Sequence, residues 1–154
     1  KRNKKMNPKW KIKPFEALSV AELHSVLQLR SEVFVVEQNC VYQDIDGKDA
    51  KALHLFGEYE GKIVAYARLF KPNDYFENGS IGRVVVSQNH RDQKWGYDLM
   101  KQAIKAIQEH FNETKITISA QLYLQKFYES LGFVKTSDVY LEDDIEHIEM
   151  RKEI

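Results

Sequence analysis

The sequence predicts one domain of the α/β or α+β class, in which helices cover the faces of a mixed sheet. The chain has 154 residues, enough to bury one core and too few for two comfortable domains. Segments with strand-type patterns come first and then alternate with helical segments. The sequence contains no internal repeat and no low-complexity segment. Each element is justified below in chain order.

The first half of the chain predicts a short strand, a helix and an acidic loop. Residues 10–15 alternate as a strand does, and residues 18–34 carry apolar side chains at helical spacing. Ser19 and Glu22 form a capping-box pattern that marks the helix start. Residues 35–51 lose the pattern and are rich in Asp, Asn, Gln and Gly, which predicts a structured loop.

Three strands are predicted in the middle of the chain. Residues 54–59 and 63–70 form two apolar runs, and Glu60 and Gly61 between them predict a tight hairpin turn. After a loop, residues 80–87 contain several β-branched side chains, which suits a strand buried on both faces.

The second half of the chain predicts two helices and three strands. Residues 93–111 place Met100 and Ile107 on one helical face, and residues 115–119 form a β-branched strand. A further helix is predicted at about residues 121–131, ending at Gly132, a residue that tolerates the left-handed conformation. Closing strands are predicted at residues 133–136 and 145–150.

Composition excludes several classes of partner. The 23 basic and 23 acidic side chains cancel, so neither nucleic acid nor an anionic membrane is favoured as a partner. No apolar run approaches the roughly 20 residues that cross a bilayer, and the single cysteine, Cys40, fits a reducing compartment. We therefore expect a cytoplasmic protein. Residues 1–7 are expected to be a disordered or expression-derived tail, with the domain at residues 8–154.

The passage from the strand at residues 80–87 into the helix near Gln93 is the first candidate for chemistry. A helix N-terminus offers unpaired N–H groups and a positive dipole, so a loop wrapped onto it can bind an anion such as diphosphate. Taken alone, this junction is equally consistent with a plain connection, because every strand-to-helix turn shares its outline.

The residues at this junction resemble a known family. Arg-Asp-Gln-Lys-Trp-Gly at residues 91–96 resembles the acetyl-CoA pyrophosphate loop of the GCN5-related N-acetyltransferase (GNAT) superfamily, and residues 127–133 resemble its second cofactor motif. The ElaA-like branch of that superfamily is the nearer match, on residues 29–38, 42–49, 54–55 and 142–148. The resemblance covers nearly the whole chain from Trp10, in the right order. It departs at Lys94, which replaces the first glycine of the loop, and at Asp92, which adds a negative charge.

The resemblance implies a mostly antiparallel central sheet flanked by helices, with a splayed strand pair that receives acyl-CoA. It implies acetyl-CoA as cosubstrate, an amine acceptor and no metal. A freed N–H group near Val85 would polarise the thioester carbonyl. The implied cofactor-binding residues are Val84, Val85, Val86, Arg91, Asp92, Gln93, Lys94, Trp95, Gly96, Tyr97, Gln121 and Phe127.

The resemblance also implies acid and base residues. Tyr128 occupies the position at which many relatives place a tyrosine that protonates the CoA thiolate, although a half-buried core tyrosine is the alternative. An ammonium must lose a proton before it attacks, and the candidate bases are Glu37, His54, Glu142 and His147.

Two arginines lie at apolar positions and need partners. Arg30 falls on the apolar stripe of the first helix, where it either pairs with a carboxylate such as Glu37 or faces the acceptor, and Arg83 raises the same question. Residues 44–49 superficially resemble a calcium loop, but the glycine is misplaced and no glutamate ends a twelve-residue ligand set. We interpret them as a turn lining the acceptor side.

Two alternatives to N-acetyl transfer remain open at this point. The end of the first helix and the acidic loop also faintly resemble acyl-homoserine lactone synthases, which would imply a different acyl transfer. Lys94 and Asp92 also fit a non-catalytic module that binds acyl-CoA or a partner. A homodimer is possible, since dimers are common among relatives.

Overall fold

The computed structural model describes residues 6–154 and contains one eight-stranded sheet with helices on both faces. Of the predicted tail at residues 1–7, residues 1–5 lie outside the described part, and the Met6 carbonyl accepts a hydrogen bond from the Trp95 indole at 2.9 Å. The strands run in the order β1-β2-β3-β4-β5-β8-β6, and β7 pairs with β8. The elements are β1 (Lys9–Pro14), α1 (Val20–Arg30), β2 (Leu53–Tyr59), β3 (Lys62–Phe70), β4 (Gly79–Val86), α2 (Trp95–Phe111), β5 (Lys115–Gln121), α3 (Gln125–Glu129), β6 (Val134–Lys135), β7 (Tyr140–Glu142) and β8 (Ile145–Glu153).

The start of α1 confirms the predicted capping box. The Ser19 hydroxyl accepts from the Glu22 backbone N–H at 3.0 Å, and the Glu22 carboxylate accepts from the Ser19 N–H at 2.9 Å. At its other end α1 continues directly into a π-helical stretch, Ser31–Glu37. The helical path therefore extends three residues beyond the predicted end.

The sheet separates two apolar layers because neighbouring residues of a strand point to opposite faces. On one face, Phe56 and Tyr66 pack against the α1 side, together with Val26 of that helix. On the other face, the neighbouring residues Leu55 and Ala65 pack against α2 and α3. The result is a three-layer arrangement of helix, sheet and helix, as the sequence predicts.

The hairpin between β2 and β3 confirms its predicted turn. Glu60 and Gly61 both have left-handed backbone conformations, with φ of 51° and 77°. A two-residue turn with both φ values positive matches the twist of the flanking strands. The two strands pair antiparallel along their whole length with one bulge at Gly57 and Glu58.

Strand β4 is irregular, and this irregularity opens the sheet. Arg83 has φ of 49°, and at this point one extra residue in β4 shifts its register against β3. On its other side β4 pairs in parallel with β5 only at Gly79 and Ser80. Beyond Ser80 the two strands part, so the middle of β4 is half-buried rather than buried on both faces. This confirms the splayed strand pair of the expected fold.

The last part of the chain differs from prediction in detail. The predicted helix at residues 121–131 is a short 3-10 turn followed by α3 alone, because β5 runs on to Gln121. Gly132 ends this segment with φ of 95°, as predicted. Strand β7 is absent from the prediction, which assigned no structure between residues 136 and 145. Its three residues are too few for a clear alternating pattern.

Candidate active site

A cleft of about 570 Å³ opens where β4 and β5 part. One wall is β4 from Ser80 to Val86, and the other includes Ile118 and Ser119 of β5. The lining of the cleft includes Gly96 at the start of α2, which we call the α2 end, and Glu142 and His147 of the β7–β8 hairpin, which we call the acceptor end. The cleft therefore includes part of the predicted diphosphate loop and two of the candidate bases, but residues 44–49, predicted to line the acceptor side, do not line it.

The end of the cleft at α2 has the features of an anion site. Lys94 precedes the helix in the left-handed conformation, with φ of 61° and ψ of 25°, and its side chain makes no capping hydrogen bond to the first turn. The first N–H groups of the helix therefore remain available at its positive end. A Cβ atom added at Gly96 would lie 3.8 Å from Val86 and 3.9 Å from Phe127, which is ordinary contact.

The left-handed conformation of Lys94 explains why the pyrophosphate loop that these residues resemble has glycine at this position. Glycine adopts positive φ without steric cost, whereas any other residue there carries strain of about 1–2 kcal/mol. This chain keeps the loop geometry with a lysine. The backbone therefore accommodates lysine in place of the first glycine of the loop.

The structure brings most of the predicted site residues to this cleft, but not all of them. The lining includes Glu37, Val84, Val85, Val86, Arg91, Gly96, Gln121, Phe127, Tyr128, Glu142 and His147. The side chains of Asp92, Gln93, Lys94, Trp95 and Tyr97 do not line it. Trp95 is 1% exposed and packs against both Tyr59 and His90, so only its backbone is near the anion site.

Two predicted site residues, Glu37 and Arg91, form an ion pair across the cleft. The Arg91 guanidinium donates to both carboxylate oxygens of Glu37, at 2.5 and 2.8 Å, and its Nε donates to the Val86 carbonyl. The hydrogen bond from Arg91 holds the pKa of Glu37 below its usual value, against a smaller opposing effect of burial. Glu37 is thus occupied as an ionised partner of Arg91, which weakens its case as a general base.

Tyr128 lies on α3 and lines the cleft with only 6% of its surface exposed. Its ring packs at right angles to those of Phe127 and Phe133. Burial raises the pKa of Tyr128, so the hydroxyl is fully protonated at neutral pH. Tyr128 is therefore part of the core and also lines the cleft.

A second group of polar side chains surrounds the other end of the cleft. Strand pairing puts Tyr140, Glu142 and His147 on one face of the β7–β8 hairpin, while Leu141 and Glu146 lie opposite each other on the other face. Ser119 of β5 donates to the Glu142 carboxylate at 2.9 Å and is also hydrogen bonded to the Tyr140 hydroxyl. The carboxylate of Glu142 is therefore held in a defined position.

His147 presents its Nε2 atom beside this carboxylate. Its Nδ1 is 2.7 Å from the Ile145 carbonyl oxygen, which can only accept a hydrogen bond. Nδ1 must therefore carry the proton, and in the neutral ring Nε2 keeps its lone pair. Nε2 lies 3.9 Å from Glu142 Oε2. This nitrogen is well placed to take a proton from a group that binds at Glu142.

Arg30 and Arg83, the two arginines at apolar positions of the sequence pattern, belong to a buried ion-pair network. The partners of Arg30 in this network differ from the predicted one. Arg30 pairs with Asp44 and Asp49 at 2.9 Å each, not with Glu37. Asp49 also pairs with Arg68 at 2.9 Å. Arg83 pairs with Asp44 at 2.7 Å, and Asp46 pairs with Arg68 at 2.8 Å and with Arg83 at 3.4 Å. Three arginines face three aspartates, so the network is neutral.

This network explains why the loop at residues 44–49, which superficially resembles a calcium loop, is rich in aspartate. Asp44, Asp46 and Asp49 bind arginine side chains and fix the loop to β3 and β4. Although burial acts to raise it, hydrogen bonding from Arg68 lowers the pKa of Asp46 to about 2. No group of three or more metal-ligating side chains in residues 6–154 is arranged to hold a metal ion.

His54 lies outside the cleft. It is fully buried, with Nδ1 2.7 Å from the Tyr66 hydroxyl and Nε2 2.9 Å from the Asp49 carbonyl. Burial lowers the pKa of His54, so the ring is neutral. Both nitrogens are occupied within the core, and His54 therefore supports the acidic loop instead of contacting an acceptor.

Sequence reasoning missed several residues that line the acceptor end of the cleft. They are Tyr42, Phe70, Tyr75, Phe76 and Ser119. Phe70 and Tyr75 stack with ring centroids 5.2 Å apart, and Phe76 packs edge-on against Tyr75 at 4.9 Å. Among these residues, only Ser119 could have been inferred from the sequence. It precedes Gln121 by two residues and therefore lies on the same face of β5.

The splayed strands, the cleft and the uncapped helix start define an enzyme of the acyl-CoA N-acyltransferase class. Residues 18–154 match the family model described as an acetyltransferase (GNAT) domain. The chain is 44% identical to the protein ElaA of Escherichia coli K12 over 147 residues, which cover 94% of this chain and 96% of ElaA. The chain belongs to the GNAT acetyltransferase family, and its sequence is of the ElaA-like kind.

Solved structures agree with this assignment. The crystal structure of an acyl-CoA N-acyltransferase from Pseudomonas aeruginosa is 43% identical with a TM-score of 0.88, covering 94% of this chain and 99% of that one. The crystal structure of E. coli ElaA is 42% identical with the same TM-score, covering 95% and 99%. A GNAT acetyltransferase from Elizabethkingia anophelis with acetyl-CoA bound shares the fold at 18% identity, with a TM-score of 0.63 and coverage of 94% and 98%. No helix within residues 6–154 is both long and apolar enough to span a bilayer.

Proposed function

We propose that this enzyme transfers the acetyl group of acetyl-CoA to a primary amine by direct attack within a ternary complex. The single observation that carries the proposal is the cleft between β4 and β5, which runs from the uncapped start of α2 to the Glu142 and His147 pair. An anion site at one end and a proton acceptor at the other are what this reaction requires.

The residues present fit acetyl-CoA at the α2 end of the cleft. The free N–H groups at the start of α2 suit a diphosphate, and Gly96 leaves the backbone open to it. Where β4 leaves β5, its backbone polar groups beyond Ser80 are free of strand pairing on that side and can pair with an extended arm. When bound, acetyl-CoA supplies the acetyl carbon that the amine attacks.

His147 is the general base in this proposal, and Glu142 binds the incoming ammonium beside it. The nitrogen must lose one proton to expose its lone pair, and His147 Nε2 is positioned to receive it. His147 passes this first proton to solvent. As the C–N bond forms and the C–S bond breaks, the nitrogen loses its second proton to His147, and the thiolate takes a proton from Tyr128. Tyr128 then regains a proton from solvent, so the products are the amide, the CoA thiol and one released proton. Val84, Val85 and Val86 line the cleft, and in this proposal a backbone N–H group near Val85 stabilises the developing oxyanion.

Tyr128 is the general acid that protonates the departing thiolate. Its raised pKa keeps the hydroxyl protonated at neutral pH, so the proton is present when the thiolate departs, although burial also makes Tyr128 a weaker acid than an exposed tyrosine. Tyr128→Phe removes the proton but keeps the ring that packs on Phe133. We expect this variant to lower kcat by roughly 10²–10⁴-fold, with little change in the Kd for acetyl-CoA.

The test measures release of free CoA thiol with a panel of amines, together with acetyl-CoA affinity by titration calorimetry. His147→Gln should lower kcat by roughly 10²–10⁴-fold and leave acetyl-CoA binding intact. Unchanged turnover in both variants would remove these two roles. Replacing acetyl-CoA with an acyl carrier protein donor separates this reaction from lactone synthesis, and binding without turnover of any amine would favour the non-catalytic module.

A further inference from the structure

The acceptor end of the cleft carries unneutralised negative charge. The arginines that line it, Arg68 and Arg83, are balanced by aspartates of the buried network. Glu37 is balanced by Arg91. Among the carboxylates that line the cleft in the described part of the chain, those of Glu142 and Asp143 have no lysine or arginine partner. Glu142 lies near a histidine, His147. An acceptor group that binds here should be cationic, and one that carries its own carboxylate should be repelled.

Beside this charge lies a wall of aromatic rings. Tyr75 stacks on Phe70 with an interplanar angle of 10°, and Phe76 meets Tyr75 at 82°. Tyr75 is 40% exposed, so its ring is available on the open side although its other face is packed. An exposed aromatic wall contributes apolar area and a π-face that bind flat apolar groups and cations.

The charge and the rings belong to one site. Glu142, Tyr75 and Phe76 all line the same cleft. Burial, and after it the charge of Glu142, raise the pKa of Tyr75. Ser119 donates to the Glu142 carboxylate and is itself hydrogen bonded to Tyr140, so the carboxylate is a fixed point for an ammonium group on the cleft face of the hairpin.

We propose that the acceptor is a primary amine attached through a short linker to an aromatic or similarly flat apolar group, and lacking a carboxylate. Its ammonium binds Glu142 and its ring packs on Tyr75 and Phe76. This inference rests on the proposed function, because it names the class of amine that the same site acetylates. Ser119 and Tyr140 are positioning residues in this arrangement, since they act through Glu142.

The first experiment compares kcat/KM for three amines by thiol release. 2-Phenylethylamine should exceed ethylamine by roughly 10-fold or more, in line with what apolar pockets discriminate. It should also exceed phenylalanine by at least about 10-fold, because phenylalanine adds a carboxylate to the same skeleton. Equal rates for ethylamine and 2-phenylethylamine, or a preference for phenylalanine, would overturn the inference while leaving acetyl transfer intact. No thiol release with any amine would overturn the proposed function, and this inference with it.

Variants separate ring binding from charge binding. Tyr75→Ala should bring the ratio between 2-phenylethylamine and ethylamine close to one, whereas Tyr75→Phe should retain it. Phenyltrimethylammonium, a cation that cannot be acetylated, should inhibit competitively against the amine, and Glu142→Gln should raise its inhibition constant by roughly 10-fold. Glu146→Gln is the matched control, because Glu146 is on the same hairpin but faces away from the cleft. An equal effect of both glutamate changes, or none of Glu142→Gln, would refute the subsite.

Discussion

Replacing Asp49 with asparagine should destabilise the protein strongly, because it removes a charge that two buried arginines share. Asp49 Oδ1 accepts from Arg30 and from Arg68, at 2.9 Å each. Arg30 is 0% exposed and Arg68 is 1% exposed. Breaking a buried ion pair by removing one partner costs about 3–5 kcal/mol, since the remaining charge stays buried. The amide oxygen can still accept a hydrogen bond, so we expect the lower end, about 3 kcal/mol.

The free energy of unfolding is measured by urea denaturation at pH 7, with thermal unfolding as a second probe. For a chain of this size, about 3 kcal/mol corresponds to a fall in Tm of roughly 6–12 °C. Asp74→Asn is the control, because Asp74 pairs with Lys71 at the surface and should cost less than about 1 kcal/mol. If Asp49→Asn costs no more than this control, the buried network does not stabilise the fold as described.

Three further perturbations test individual features. Lys94→Gly should raise the free energy of unfolding by up to about 1 kcal/mol by relieving the left-handed backbone, and Lys94→Ala, which keeps the strain, should not. Glu37→Gln should lower the Kd for acetyl-CoA by roughly 2–10-fold, because it frees the Arg91 guanidinium; weaker binding would contradict this. The lowered pKa of Asp46 makes its stabilising contribution complete above about pH 4 and lost as pH falls towards 2. Asp46 should therefore contribute roughly 1 kcal/mol to the fall in unfolding free energy over that window, since solvent screening reduces the full effect of the shift, and the fall should be smaller by that amount in Asp46→Asn.

Most of the fold could be predicted because its signals are local. The capping box at Ser19, the hairpin turn at Glu60 and Gly61, and the helix stop at Gly132 each depend on a few adjacent residues. The splayed strands came from the resemblance, because strand pairing joins residues far apart in sequence. Strand β7 was missed because three residues carry too little pattern to stand out.

Partners of buried charges were predicted less well. Helical spacing made Glu37 the nearest carboxylate to Arg30, but a helix residue can also be met by a loop that folds back over it. Asp44 and Asp49 do this, 14 and 19 residues away in sequence. Glu37 in turn pairs with Arg91, 54 residues away. The sequence indicates that Arg30 needs a partner, but the choice of partner depends on the path of the loop.

The two ends of the cleft also differ in how well the sequence predicts them. The α2 end is built from one continuous segment, which a motif can reveal. The acceptor end is assembled from β5, the loop before β4 and the β7–β8 hairpin, so Ser119, Tyr75 and Glu142 meet only in the folded chain. Residue type and the family resemblance were enough to name Glu142 and His147 as candidate bases. The hydrogen bond between Ser119 and Glu142, and that between His147 and the Ile145 carbonyl, could not be predicted from the sequence.

The most direct test of the catalytic account is titration calorimetry with acetyl-CoA, followed in the same sample by thiol release across the amine panel. The account predicts saturable binding of acetyl-CoA, and CoA release that depends on added amine and falls sharply in Tyr128→Phe. Absence of binding at millimolar acetyl-CoA would contradict the account, because the cleft between β4 and β5 would then not receive the donor.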